Sequence, residues 1–126
     1  MLSYPLEETP KNHVFSGSYS PDGLLLATVD RNKHGAVWDA ATGHLWLTLN
    51  GHKAAIFTVE FSPDSRYLAT GAAGGQAIVW DVATGKPLLN MAADMIGVLN
   101  VEFSPDGQIL ATSGYQGEVK FWDVTP

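Results

Sequence analysis

This sequence predicts an all-β protein assembled from three copies of a four-stranded antiparallel unit, and three observations carry the prediction. The first is an uninterrupted repeat of 42 residues. Tyr19-Ser20-Pro21-Asp22 returns as Phe61-Ser62-Pro63-Asp64 and as Phe103-Ser104-Pro105-Asp106. Leu26-Ala27-Thr28, Leu68-Ala69-Thr70 and Leu110-Ala111-Thr112 keep the same spacing, as do Trp38-Asp39, Trp80-Asp81 and Trp122-Asp123. A period of roughly 40–45 residues with one Trp-Asp pair per copy is that of a four-stranded unit stacked on its neighbours. The second is evenly spaced turn chemistry, Ser-Pro-Asp in every copy. The third is composition: 45% apolar, only 16% charged, and rich in Gly, which suits short strands joined by turns.

The elements follow in order. His13–Tyr19 reads as a first inner strand, with Gly17 where the other copies have Val59 and Val101. One buried Val contributes ~1.5–3 kcal/mol, so the first copy is expected to be the least stable. Ser20-Pro21-Asp22-Gly23 turns the chain: Pro fixes φ, Asp caps its own backbone and Gly accepts positive φ. Leu24–Val29 is a continuous apolar run bounded by turns, hence a buried strand. Asp30–Gly35 connects it to Ala36–Asp39, which carries the Trp, and His44–Leu49 follows. The second copy repeats this as Ile56–Phe61, Tyr67–Gly71, Ala77–Val82 and Pro87–Met91. The third gives Val98–Phe103, Ile109–Ser113 and Glu118–Val124. The fourth-strand register projects back onto Leu2–Glu7, where Pro5 is tolerable only on an edge strand.

At these residues the chain resembles the WD-repeat β-propeller family, over nearly its whole length. The resemblance implies propeller blades, approximately 11–50, 53–92 and 95–126, with Leu2–Glu7 as an outer strand, in one unit of 126 residues. It implies an interaction platform rather than a chemistry, because function lives in sites grafted onto folds. Three blades are too few for a ring, which typically has four to eight, so the ring is incomplete unless the protein is oligomeric. The last blade would present an open edge at Phe121-Trp122-Asp123. Two arrangements follow. Chains join head to tail, each N-terminal strand completing a neighbour's last blade, as a dimer of six blades or a trimer of nine; or the chain is a piece of a longer WD-repeat signalling or regulatory protein.

The resemblance also implies a buried set joining Gly-His, Ser/Thr, an Asp between the second and third strands, and the Trp of Trp-Asp. The second blade offers His52, Thr70 and Trp80, with Gly74 at the Asp position. The first has Thr28, Asn32 and Trp38, with Pro10 at the His position; the third has Thr112, Gln116 and Trp122, with Asp94 there. No blade is complete, and a network short of a member leaves a polar group to be satisfied otherwise.

Chemistry-bearing patterns are absent. No Gly-x-Ser-x-Gly occurs, and Ser20, Ser62 and Ser104 belong to turns. Gly71-Ala72-Ala73-Gly74-Gly75 lacks the Lys-Ser/Thr of a phosphate loop. His13, His34, His44 and His52 have no metal-ligand spacing, and Cys is absent, so neither a metal nor a cofactor is expected. The repeated acids (Asp22, Asp64, Asp106 and Asp39, Asp81, Asp123) read as turn and strand-end caps. No enzyme activity is expected. A net charge of −6 argues against nucleic acid, and no apolar run is long enough to span a membrane. A cytoplasmic setting is the expectation.

The distribution of charge points to one end of the blades. Connections from second to third strands, and between blades, hold Lys11, Arg31, Lys33 and Lys53 against Asp30 and Asp94 only. The opposite end holds the six repeated Asp against Arg66 and Lys86. A mildly basic rim suits a protein or peptide partner with an acidic or phosphorylated segment. The positions that WD-repeat proteins use for contact fall here on Lys11, His13, Arg31, Asn32, Lys53, Ala55, Met95, Gly97, Tyr115 and Gln116. Tyr115 and Arg31 are the expected anchors, since Tyr and Arg dominate interface hot spots.

Overall fold

The computed structural model describes residues 14–94 and 96–126, and within them every regular element is a strand. The expected strand at Leu2–Glu7 lies outside the described residues, as do the contact candidates Lys11, His13 and Met95. The first sheet is β1 (Val14–Tyr19), β2 (Leu25–Asp30), β3 (Gly35–Asp39) and β4 (Leu45–Leu49). The second is β5 (Ile56–Phe61), β6 (Tyr67–Ala72), β7 (Gln76–Asp81) and β8 (Pro87–Ala92). The third holds β9 (Val98–Phe103), β10 (Ile109–Gly114) and β11 (Val119–Asp123). Each is an antiparallel meander in chain order, hence blades 1, 2 and 3. The strands lie within a few residues of the expected ones. One shift matters later: Glu118 falls in the β10–β11 connection, not in the strand.

The repeated turns form for the reason their residues suggest. In blade 1 the Ser20 hydroxyl donates to Asp22 at 2.6 Å, and the same Asp22 oxygen accepts from the Leu24 N–H at 3.0 Å. Ser62–Asp64 and Ser104–Asp106 repeat the bond at 2.6 Å each. Asp39, Asp81 and Asp123 accept backbone N–H groups just beyond their strands, from Ala41 (2.9 Å), Ala83 (2.9 Å) and Thr125 (3.0 Å). All six repeated carboxylates therefore act as caps. The turn position held by Gly23 and Gly107 is Ser65 in blade 2, kept at φ 65°.

Alternation sorts each sheet into two faces. The front carries the Trp: Gly17, Tyr19, Leu26, Thr28, Ala36 and Trp38 in blade 1. The rear carries Ala27, Val29, Gly35 and Val37. One core joins the rear of blade 1 to the front of blade 2 through Ala27, Val29, Val37 and Leu49 against Val59, Phe61, Leu68, Ile78 and Trp80. A second joins the rear of blade 2, at Ala69, Ala77 and Val79, to Val101, Phe103 and Leu110 on the front of blade 3. Among the described residues, only blade 2 is covered on both faces.

Each inner strand also carries a bulge at the same place. Phe15, Phe57 and Leu99 are the residues left over when β1, β5 and β9 pair with their neighbours. A bulge re-aims the side chain it displaces, and at Phe57 this builds the site described next.

Candidate functional site at the blade 2–blade 3 rim

The rim is set by how the β6–β7 connection meets the start of blade 3. Ala73 bridges to Gly97, the Gly74 N–H donates to the Ile96 carbonyl at 2.8 Å, and the Gly75 carbonyl accepts from Ala93 at 2.8 Å. Glycine is required at Gly75: φ is +94°, and a Cβ there would lie 1.5 Å from the Asp94 carbonyl oxygen. So the loop that the family resemblance would tie down with an Asp is tied down by backbone bonds instead.

Asp94 is the hub beneath. One carboxylate oxygen accepts from the Ile96 N–H at 2.7 Å and the Gly97 N–H at 3.0 Å; the other accepts from Gln116 at 3.4 Å. The Ile96 and Gly97 N–H groups hold the carboxyl below the usual carboxylate range. The acid at the His position thus fastens the blade 2–3 connection to the β10–β11 turn, and the Tyr115 N–H adds a bond to the Gly97 carbonyl at 3.1 Å. Above this floor the Tyr115 ring meets Phe57 edge to face, centroids 6.4 Å apart at 75°. Gly97 lets the rings close down, since a Cβ there would sit 3.0 Å from Tyr115.

Of the expected contact residues, Gly97, Tyr115 and Gln116 converge here, and Ala55 joins them through its carbonyl, which accepts from Ala73 at 2.8 Å. Lys53 is exposed on the blade 1–2 connection. Arg31 and Asn32 occupy the separate β2–β3 turn of blade 1, shaped by Asp30, which accepts from the Asn32 and His34 N–H groups at 2.8 and 3.0 Å. Phe57 and Ile96 complete the aromatic and apolar shelf without having been singled out. An apolar residue at the bulge position of every copy is the signal that marks Phe57.

Glu118 joins the acids of this end, having been expected within the strand. Among the described residues of this end, Arg31, Lys33 and Lys53 stand against Asp30, Asp94 and Glu118, and the charges balance. No group of three or more His, Cys, Asp or Glu gathers at a metal-like site among the described residues.

Beside the rim, the Trp-bearing core holds the partial network expected of blade 2. The Trp80 indole N–H donates to the Thr70 hydroxyl oxygen at 2.8 Å, and His52 Nε2 lies 2.6 Å from the same oxygen. His52 Nδ1 is buried without a partner, and burial pushes the ring down to about 4. Among the described residues, blades 1 and 3 show the Trp–Thr bond, Trp38 to Thr28 and Trp122 to Thr112, both at 3.0 Å.

Stacked antiparallel meanders of four, four and three described strands, each with a Trp–Thr bond, define a propeller-type repeat protein. Residues 43–81 and 86–123, more than half of the chain, match the WD domain, G-beta repeat family. The chain belongs to the WD-repeat family, whose members serve generally as non-catalytic scaffolds for protein–protein interaction. An uncharacterized WD repeat-containing protein of Nostoc sp. is 42% identical over 40 residues, which is 32% of this chain. The chain covers only 3% of that relative's length.

Proposed function

We propose that the protein is a non-catalytic interaction scaffold that associates with copies of itself to close a ring of blades. The observation that carries this is the third sheet: among the described residues, the outer edge of β11 pairs with no strand. An unpaired edge is a template for another chain, and two copies would give six blades, inside the usual range of four to eight. A non-catalytic role is supported by the commitment of the repeated carboxylates to turns. The rim at Tyr115, Phe57 and Gly97 then offers a partner protein apolar and aromatic contact. Arg31, Lys33 and Lys53 at the same end would favour an acidic or phosphorylated segment in that partner.

The length of the Nostoc relative favours a second reading, in which these blades act as a regulatory segment of a larger WD-repeat protein. Light scattering on a size-exclusion column separates the two. A discrete dimer or trimer supports self-assembly; a monomer or a heterogeneous aggregate supports the larger protein.

A further inference from the structure

Repetition provides an internal standard for every surface of this molecule, because each position is seen in three settings. On the rear faces, Val37 and Val79 are 0% and 3% exposed, whereas Phe121 at the same position of blade 3 is 73% exposed. Val119, at the position of the buried Gly35 and Ala77, is 59% exposed. On the front faces, Phe61 is 4% exposed and Trp80 0%, yet Tyr19 is 66% exposed and Trp38 only half-buried. The rear of blade 3 and the front of blade 1 are therefore the two halves of an interface that the chain builds twice internally.

The two open halves also differ from the internal ones in volume, in opposite directions. The covered rear rows are small: Val29, Gly35 and Val37 in blade 1, Gly71, Ala77 and Val79 in blade 2. The open rear row is larger, with Ser113, Val119 and Phe121. The covered front faces place Val59 and Ile78, or Val101 and Lys120, at the two positions where the open front face has Gly17 and Ala36. These rows meet within one buried cluster at the blade 1–2 boundary, where Val37 lies with Val59 and Ile78. Bulk removed from one open half has been added to the other. Beside Phe121 a groove of about 220 Å³ runs along Ile109 and Ala111.

We infer that the rear of blade 3 docks on the front of blade 1 of a second copy, with Phe121 and Val119 filling the hollow left by Gly17 and Ala36. This deepens the self-assembly reading by assigning its faces, and it is separate from pairing at the β11 edge. The contact is heterologous, so repetition of it either closes a ring or continues as a filament. A partner unrelated to this chain would give no reason for the matched change in size at positions 17, 36, 119 and 121.

The test is a volume-swap cycle on the full chain, read by sedimentation equilibrium and checked by circular dichroism melting. Gly17→Val restores the residue type of the other blades; its Cβ meets nothing nearer than the Ala27 carbonyl oxygen at 3.3 Å, so the fold accommodates it with a small adjustment. It should weaken self-association roughly tenfold or more, because an overfilled interface is strained. Phe121→Val alone should also weaken it, by removing the knob. The Gly17→Val/Phe121→Val double variant recreates the internal pairing and should recover association relative to Gly17→Val. Ala36→Ile, copying Ile78, serves in place of Gly17→Val if that variant melts early. Unchanged association in Gly17→Val, or a double variant no better than the single, overturns the face assignment while leaving assembly intact. A wild-type chain that stays monomeric at high concentration overturns both.

Discussion

Blade 2 and blade 3 share most of their landmark residues and differ in what surrounds them. In blade 2, Leu68, Thr70, Ile78 and Trp80 on the front and Ala69, Ala77 and Val79 on the rear are all buried. In blade 3 the front is covered by blade 2, but the rear opens at Val119 and Phe121. Blade 1 is the converse, covered behind and open in front. In a stacked array, stability is a sum of each unit's own contacts and its nearest-neighbour interfaces, so the middle unit should be the strongest and the outer two should depend on what covers them.

The largest effect should come from deleting the same residue in two blades. Trp80→Ala removes a fully buried ring and its hydrogen bond to Thr70, at a cost of about 3–5 kcal/mol. Trp38→Ala removes a half-buried ring and should cost clearly less in the isolated chain, as denaturant melts would show. Equal losses would mean that the blades are not graded. Next comes the blade 2–3 boundary. A Cβ at Gly71 would lie 2.5 Å from Val98 Cγ1, so Gly71→Ala should overpack the boundary and cost roughly 1–3 kcal/mol. At the same position in blade 3, Ser113→Ala faces the open side and should change little.

His52 gives a pH dependence confined to the middle of the molecule. Its folded ring titrates near 4 rather than the ordinary 6.5, so the unfolded chain binds a proton across that interval and the folded one does not. Stability is then fully present above about 6.5 and is lost as pH falls toward 4, by about 3 kcal/mol. His52→Gln should flatten that slope in thermal melts, and an unchanged slope would assign it to other groups. The smallest effect concerns the inner strands. Glu60 is raised above the ordinary carboxyl range, first by burial and then by Glu102 on the neighbouring strand. Burial and the Glu102 charge disfavour the carboxylate form, so Glu60→Gln should raise the melting temperature slightly at pH 7 and less at pH 4.

The sequence made the strands legible because its period never slips. Ile56–Phe61 and Val98–Phe103 are found where the repeat puts them. Of the candidate site, the structure brings Tyr115, Gln116 and Gly97 together at one rim. What escaped depends on pairing rather than on residue type. The bulge that re-aims Phe57 exists only once β5 is registered against β6. Glu118 shifts the charge of the rim because β11 starts one residue later than its apolar pattern suggests. Asp94 at a His position reads as a loss in one dimension; in three it has exchanged a side-chain network for a carboxylate that holds three backbone N–H groups. Exposure escaped most completely, since Val79 and Phe121 occupy the same place in the repeat and yet one is buried and the other exposed.

The most direct measurement is amide hydrogen exchange followed strand by strand at rising protein concentration. Exchange at β5–β7 should be slow and independent of concentration, since blade 2 is covered within one chain. Protection of Val119–Asp123 in β11 and of β1–β3 should rise together with concentration, because one copy's open rear is covered by another's open front. Concentration-independent exchange in those outer strands, or protection equal in all three blades throughout, would contradict the account.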